Sequence, residues 1–245
     1  TGRRWDLSQE KQQNELLKII QKHEPYFLTL SPPCRMFSPL QNLNKKKGSA
    51  EWEKFKQKDL VLLKFAMKVA KLQARAGRYF MYEHPMRATS WSEACVAEVA
   101  ALPGVGAVGL DMCAFGLKST DRDGEGYAQK RTRIMSNMPA ILEGLPRQCQ
   151  NDHRHVILLD GRAGPAAAYS ESFCDQVVKC VILQKLVESG GEDEMLNSID
   201  LHEEDEAVFI DDKSKLDNFF SFKLVLHERP VGNSTIGGNG EEVKV

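Results

Sequence analysis

The stretch YFLTLSPPC at residues 26–34 has the most informative pattern in the chain. Its first five residues are apolar or β-branched and are typical of a short buried strand. Two prolines then end the strand, because proline cannot donate to a sheet and restricts the residue before it. A similar run, YFMY at residues 79–82, is closed by Glu83-His84-Pro85. The sequence therefore predicts two strands that end in polar or proline-stiffened segments.

A long helix separates these two strands, because apolar residues recur at helical spacing from about residue 50 to 77. The elements predicted after the second strand are a helix at 90–102, a strand at 105–112, a polar loop at 118–128, a strand at 132–135 and a helix at 171–188. Strands that alternate with long helices favour a parallel sheet with helices on both faces. We therefore expect an α/β fold with a doubly wound, mostly parallel, Rossmann-like sheet. Ligands of such sheets bind beyond the carboxyl ends of the strands.

Charge is divided unevenly along the chain, although the formal net charge is only -1. Residues 1–187 carry 28 Lys and Arg against 19 Asp and Glu, whereas residues 188–245 carry 5 against 15. A basic body favours contact with a polyanion such as DNA. The acidic end has little apolar pattern beyond residues 219–226, which are typical of an isolated strand. We predict a folded domain at 1–188 and a mostly disordered acidic tail at 189–245.

The cysteines and the start of the chain bear on its cellular context. No run approaches the roughly 20 apolar residues of a membrane-spanning helix, so we expect no membrane partner. The six cysteines are scattered through apolar segments, which favours reduced thiols in an intracellular, reducing compartment. Because the chain starts at Thr1 with no signal peptide, we expect it to be a piece of a longer protein.

Two candidate catalytic side chains follow the two predicted strands. Cys34 stands beside Arg35 after a strand end, and a nearby cation can lower the pKa of a thiol and make it a nucleophile. The alternative for Cys34 is a small buried residue after a tight turn. Glu83 emerges from an apolar strand, so it can keep a proton and donate it to a substrate nitrogen. Its alternative is a capping or ion-paired carboxylate.

A third candidate group comes from an extended basic segment. Gln129, Arg131 and Arg133 alternate along the chain, and alternate residues of a strand face the same side. Such a face can clamp a phosphate or support the loop that carries Cys34. The alternative is a solvated basic face.

The motifs follow one another in a defined order: Pro33-Cys34 with Phe37-Ser38, then Glu83-x-Pro85, then Phe115-Gly116 with Gln129-x-Arg131-x-Arg133. This order resembles the DNA cytosine-5 methyltransferase family, whose signatures are Pro-Cys-Gln-x-Phe-Ser, Glu-Asn-Val and Tyr-Gly-x-x-Gln-x-Arg-x-Arg. More narrowly, residues 2–180 resemble divergent methyltransferase-like segments inside retroelement (retrotransposon) polyproteins. The resemblance implies a Rossmann-like methyltransferase sheet.

The resemblance also implies a role for each matched residue. Cys34 would attack C6 of a cytosine flipped out of the DNA, and Glu83 would bind its N3 and amino edge. Further implied contacts are Arg131 and Arg133 with the substrate, Gln129, Arg35 and Ser38 in support of the substrate loop, and Asp6 and Pro33 with the cofactor S-adenosylmethionine. The Gly-rich cofactor turn of the family does not precede Asp6, so we expect an N-terminally truncated domain with part of its cofactor pocket missing.

Part of the first motif also resembles a second family of methyltransferases. Ser31-Pro32-Pro33 also resembles the signature of amino-methyltransferases that act on adenine N6 or cytosine N4. Those enzymes need an aromatic residue at position 34 to stack the base, and this chain has Cys34 there. The cytosine-5 interpretation is therefore preferred.

A separate group of residues is a candidate zinc site. Cys149, His153 and His155 are close in sequence, and Cys174 supplies a second thiol. Two thiolates and two imidazoles suffice for tetrahedral zinc. Cys113 competes with Cys174 for the fourth position, and the alternative is a polar turn with hydrogen-bonded histidines.

The expected function is S-adenosylmethionine-dependent methylation of DNA cytosine in the nucleus, with DNA as the partner of residues 1–187. The alternative is a non-catalytic nucleic-acid-binding module of a retroelement polyprotein with a degenerate methyltransferase fold. A third hypothesis is an interaction protein whose acidic tail shields its basic face.

Overall fold

The computed structural model describes residues 5–44 and 46–190, together with the backbone of residues 222–225. Within these residues the helices are α1 (Glu10–His23), α2 (Ala50–Arg75), α3 (Ala94–Ala100), α4 (Pro139–Gly144) and α5 (Glu171–Glu188). The strands are β1 (Phe27–Ser31), β2 (Tyr79–Pro85), β3 (Gly106–Asp111), β4 (Lys118–Asp121), β5 (Gly124–Ala128), β6 (Arg131–Ser136), β7 (His155–Val156) and β8 (Phe222–Val225). Short 3-10 helices lie at Arg35–Phe37, Pro39–Leu43, Thr89–Ser92, Met112–Phe115 and Pro165–Ala167.

The larger sheet has five strands in the order β3-β6-β2-β1-β8. Strand β1 is parallel to both β2 and β8, whereas β6 is antiparallel to β2 and to β3. The predicted α/β class is therefore confirmed, and the sheet is mixed. A smaller sheet has the order β4-β5-β7. Because β6 runs against its neighbours, its amino end lies at the edge where β1 and β2 end.

The two strands predicted from residues 26–34 and 79–82, and the helix predicted between them, are present as the β1-α2-β2 unit. Helix α2 begins at an N-cap in which Ser49 Oγ accepts a hydrogen bond from the Trp52 amide at 3.2 Å. At its other end the buried Gln73 amide donates to the carbonyls of Pro25 at 2.8 Å and Tyr79 at 3.1 Å. These contacts fix the carboxyl end of α2 against the starts of β1 and β2.

Alternate strand residues separate two apolar cores, one on each face of the larger sheet. Leu28 and Phe80 pack into the core that contains residues of α1, α2 and α3. Phe27 and Met81 pack into the core that contains residues of α4 and α5. We call these sides the α2 face and the α5 face. Burial on both sides explains why the strands read as continuous apolar runs.

Residues 118–128, expected to form a polar loop, instead form the hairpin of β4 and β5. Arg154 holds this hairpin, since Nη1 donates to both carboxylate oxygens of Asp121 at 3.0 Å and Nη2 donates to the Gly124 carbonyl at 2.6 Å. Gly124 has a φ of 102° at the turn, which side chains disfavour. The prediction was wrong because polar contacts, rather than an apolar alternation, hold these strands.

Helix α5 ends at Glu188, the last residue of the expected folded domain. Residues 222–225 form β8 beside β1, so the strand expected within 219–226 belongs to the larger sheet and is not isolated. The remainder of the expected acidic tail, residues 191–221 and 226–245, lies outside the described residues. None of the helices described within 5–44 and 46–190 has the length and apolar character needed to cross a membrane.

Candidate functional site

Three strand ends meet at one edge of the larger sheet. Strand β1 ends at Ser31 and β2 ends at Pro85, which lies opposite Thr132 near the start of β6. Residues just before β6 therefore reach the same edge as the two prolines and the thiol that follow β1. We call the side chains gathered there on the α5 face the Cys34 cluster: Ser31, Cys34, Glu83, Lys130 and Tyr169.

Cys34 lies half-buried at the start of the 3-10 helix Arg35–Phe37. Burial, and after it the negative charge of Glu83, raises the pKa of the Cys34 thiol to about 11, against a smaller lowering effect of Lys130. The expectation of a lowered pKa was wrong. Arg35 was expected to lower this pKa, but its exposed guanidinium lies 5.6 Å from the centre of the Phe55 ring on α2. Cys34 is thus a protonated thiol at neutral pH.

Glu83 is 7% exposed and has two unlike carboxylate oxygens. Its Oε2 accepts a hydrogen bond from the Tyr169 hydroxyl at 3.1 Å. Its Oε1 is buried and has no hydrogen-bond partner, although Lys130 Nζ lies 3.8 Å away. A buried oxygen without a hydrogen bond is costly. Glu83 Oε1 therefore has the capacity to accept a hydrogen bond from a ligand.

Tyr169 joins the cluster from the segment before α5. Its hydroxyl lies 2.6 Å from Ser31 Oγ and donates to Glu83, so Ser31 Oγ is the donor in the first of these bonds. Burial, followed by the charge of Glu83, raises the pKa of Tyr169 well above its usual value. Lys130 Nζ lies 5.6 Å from the centre of the Tyr169 ring. The sequence analysis missed Tyr169, since no local pattern marks it.

His84 supports the loop of Cys34 from the opposite face. It is fully buried, with Nε2 3.0 Å from the Pro32 carbonyl and Nδ1 2.6 Å from Ser90 Oγ. Burial lowers the pKa of His84 to about 4. The neutral ring donates from Nε2 to Pro32, because a carbonyl can only accept, and accepts at Nδ1 from Ser90. His84 therefore positions the prolines that precede Cys34.

The two predicted arginines lie away from Glu83. Arg131 Nε donates to Asp111 Oδ1 at 2.9 Å, and the Arg133 guanidinium lies 5.2 Å from the centre of the Trp91 ring. Gln129 is exposed. The basic residue beside Glu83 is Lys130, which the sequence analysis did not select. Lys130 belongs to the other alternation of the same segment and so reaches the α5 face.

The residues expected to bind the cofactor or to support the substrate loop have local structural roles. Asp6 Oδ1 accepts from Ser8 Oγ at 2.5 Å, and Oδ2 accepts from Gln9 Nε2 at 2.8 Å. The bond from Ser8 is the main cause that lowers the pKa of Asp6. Ser38 Oγ accepts from the Leu40 amide at 3.3 Å, and Pro33 is half-buried.

The local bonds of Asp6 do not support a site for S-adenosylmethionine. Both oxygens of the exposed Asp6 carboxylate already accept hydrogen bonds in the turn before α1. The position that the resemblance gives to the adenine contact is therefore a helix-entry turn. We assign no cofactor contact to Asp6 or to Pro33.

A group that could hold a metal ion lies near the end of β3. Cys149 Sγ is 3.4 Å from His153 Nε2 and 3.3 Å from His155 Nε2, and the two Nε2 atoms are 3.1 Å apart. The fourth member is the buried Cys113, and all four ligand atoms lie within 4.8 Å of one another. The exposed Cys174 on α5 is not part of this group. The prediction of Cys149, His153 and His155 together is confirmed, and Cys113 replaces Cys174.

A basic stripe runs along the carboxyl half of α2. Lys64, Lys68, Lys71 and Arg75 recur at helical spacing and line an open groove. Lys71 pairs with Glu98 of α3, whereas Lys64, Lys68 and Arg75 are exposed. Because the end of α2 contacts the start of β1, this stripe lies toward the edge of the sheet away from Cys34.

Comparisons with known proteins leave the function to be argued from this geometry. No family model matches the chain, and neither a curated protein nor a solved structure does.

Proposed function

We propose that the Cys34 cluster is the base-binding site of a DNA cytosine-5 methyltransferase-like domain. One observation carries the proposal: Cys34 follows β1 and Glu83 lies near the end of the adjacent parallel β2, where Glu83 Oε1 is buried without a hydrogen bond. A flipped cytosine presents an amino group that can donate a hydrogen bond to such an oxygen. The ordered motifs of the sequence support the same interpretation.

In this proposal Cys34, Glu83 and Lys130 have separate roles in the attack at C6. The Cys34 thiol gives its proton to water, its sulfur forms a bond to C6 of the base, and the electrons of the C5–C6 double bond move toward C5 and N3. Glu83 Oε1 accepts a hydrogen bond from the amino group and so orients this edge of the base. Lys130, whose positive charge lowers the pKa of Cys34, favours the thiolate. No contact with a methyl donor is assigned, so the proposal covers base binding and attack at C6.

Attack at C6 has a readout that needs no methyl donor. The carbanion at C5 takes a proton from water. When either hydrogen then leaves C5 as a proton, the C6–S bond breaks, the Cys34 thiolate departs and the C5–C6 double bond of the base is restored. We expect the full chain to release tritium from DNA that contains 5-tritiated cytosine. Cys34→Ser should abolish the release, and Cys174→Ser, which alters an exposed thiol of α5, should retain it. Equal release by the Cys34→Ser protein, or none by the unaltered chain, would refute the proposal.

A second candidate function is nucleic-acid binding without chemistry. The exposed basic stripe on α2 supports it, because the stripe lies away from Cys34 and offers a row of cations to phosphates. Under this hypothesis Lys64→Glu with Lys68→Glu weakens DNA binding and reduces its salt dependence. Cys34→Ser leaves both unchanged. Salt-dependent binding without tritium release favours this function over the first.

A further inference from the structure

We propose that Cys113, Cys149, His153 and His155 bind one zinc ion, and that this ion has a structural role. In tetrahedral zinc sites the Zn–S and Zn–N bonds place neighbouring ligand atoms about 3.3 to 3.8 Å apart. The distances among Cys149, His153 and His155 are 3.1 to 3.4 Å. Three ligand atoms thus already have nearly the spacing of a tetrahedral zinc site, and the Cys113 sulfur lies within 4.8 Å of them.

The chemistry of the four ligands favours zinc and a structural role. Two thiolates and two imidazoles are a common set for structural zinc. Catalytic zinc keeps one position for water, whereas here four protein side chains are available as ligands, with their ligand atoms all within 4.8 Å of one another. Soft thiolates also disfavour magnesium and calcium, which prefer oxygen ligands.

The partners of the ligands support a metal site independently of the four atoms. His153 Nδ1 lies 2.8 Å from Asp152 Oδ1, and a carboxylate in this place fixes the imidazole with the Nε2 lone pair toward the ligands. The Asn151 amide donates to Cys149 Sγ at 3.2 Å, a bond that stabilises a thiolate. Asn151 makes this bond from a left-handed backbone conformation with a φ of 58°, so the turn wraps around the sulfur.

The site joins the end of β3 to the segment before β7. Cys113 lies in the 3-10 helix Met112–Phe115 that follows β3. Asp111 Oδ2 accepts from the Cys149 amide at 3.0 Å, while Oδ1 accepts from Arg131 at 2.9 Å. The Asp111 carboxylate thus links the segment that carries Cys149 to the start of β6. Zinc therefore stabilises the strand end from which Lys130 approaches Glu83, which is the part of the inference that rests on the proposed function.

Metal analysis of the purified full chain tests the inference directly. We expect one zinc ion per chain, and cobalt in its place should give the absorption of a tetrahedral thiolate site. Cys113→Ser and Cys149→Ser should lose the metal. Cys174→Ser is the matched control and should keep it. A chain without zinc or cobalt binding, or a Cys113→Ser protein that binds as the unaltered chain does, overturns the proposal.

A milder variant covers the case in which the cysteine variants fail to fold. Asp152→Asn keeps all four ligands and removes the carboxylate beside His153, so zinc affinity should fall by about 10- to 100-fold. Competition with a chelator measures that affinity. Unchanged affinity contradicts the site geometry. Because zinc is measured without substrate, failure here differs from failure of tritium release.

Discussion

Replacement of His84 by glutamine should remove a pH dependence from the stability of the fold. His84 is fully buried between Pro32 and Ser90, and burial lowers its pKa to about 4 from an ordinary value of 6.5. The unfolded chain therefore binds a proton near pH 6.5, whereas the folded chain stays neutral until about pH 4. The contribution of His84 is fully present above pH 6.5 and is lost as the pH falls toward 4.

The size of this effect follows from the two pKa values. Linkage gives a loss of about 2 kcal/mol between pH 7 and pH 5, and about 3 kcal/mol by pH 4. Glutamine does not titrate, so His84→Gln should lose less stability over this range by those amounts. The absolute stability of the variant is lower, because glutamine cannot make both hydrogen bonds in the same geometry.

Urea unfolding of the two proteins at pH 7 and pH 5 measures the difference. All other groups titrate in both proteins, so the comparison isolates His84. His23, exposed at the end of α1, provides the control, and His23→Gln should follow the unaltered chain. If His84→Gln loses as much free energy of unfolding as the unaltered chain, His84 is not held neutral and the reasoning fails.

Three further outcomes test the site and the core. Alkylation of Cys34 at pH 8 should be at least about 100-fold slower than that of an exposed thiol, because only the thiolate reacts. Glu83→Gln should speed the alkylation of Cys34, and peptide mass spectrometry measures the rate in both proteins. Tyr169→Phe should lower the free energy of unfolding by about 1–3 kcal/mol, and an unchanged urea midpoint would argue against its buried hydrogen bonds. Leu63→Ala in the core should cost about 2–5 kcal/mol, whereas Leu43→Ala, 73% exposed, should leave the midpoint nearly unchanged.

Within the Cys34 cluster, the Glu83 carboxylate has one neutral partner and one charged partner. Tyr169 occupies one oxygen of Glu83, and Lys130 lies near the other. This arrangement leaves one acceptor for a ligand while the ion pair offsets part of the cost of burying the carboxylate. Under the proposed function, the Cys34 thiol, whose pKa is raised, loses its proton once the base is bound.

Sequence patterns located the strand ends but not every side chain that meets there. Cys34 and Glu83 could be selected because each follows an apolar run that reads as a buried strand. Lys130 was passed over in favour of Arg131 and Arg133, since all three belong to one basic segment. Which of them reaches Glu83 depends on register, and a shift of one residue moves a side chain to the other face of a sheet.

The metal-binding group was likewise only partly predictable from the sequence. Cys149, His153 and His155 are neighbours in sequence, so their association was predictable. The fourth ligand was predicted as Cys174, with Cys113 as a competitor. Only the positions of β3 and α5 in space decide for Cys113.

The sequence by itself determined the β1-α2-β2 unit and the strand-end placement of Cys34 and Glu83, because these depend on local periodicity and on proline. It also determined three members of the metal group, because they are close in the sequence. Only the tertiary structure decided the mixed sheet, the partnership of Glu83 with Lys130 and Tyr169, the support of Cys34 by His84 and the choice of Cys113. Those features depend on contacts between distant segments, and such contacts are fixed by packing and register that no local pattern encodes.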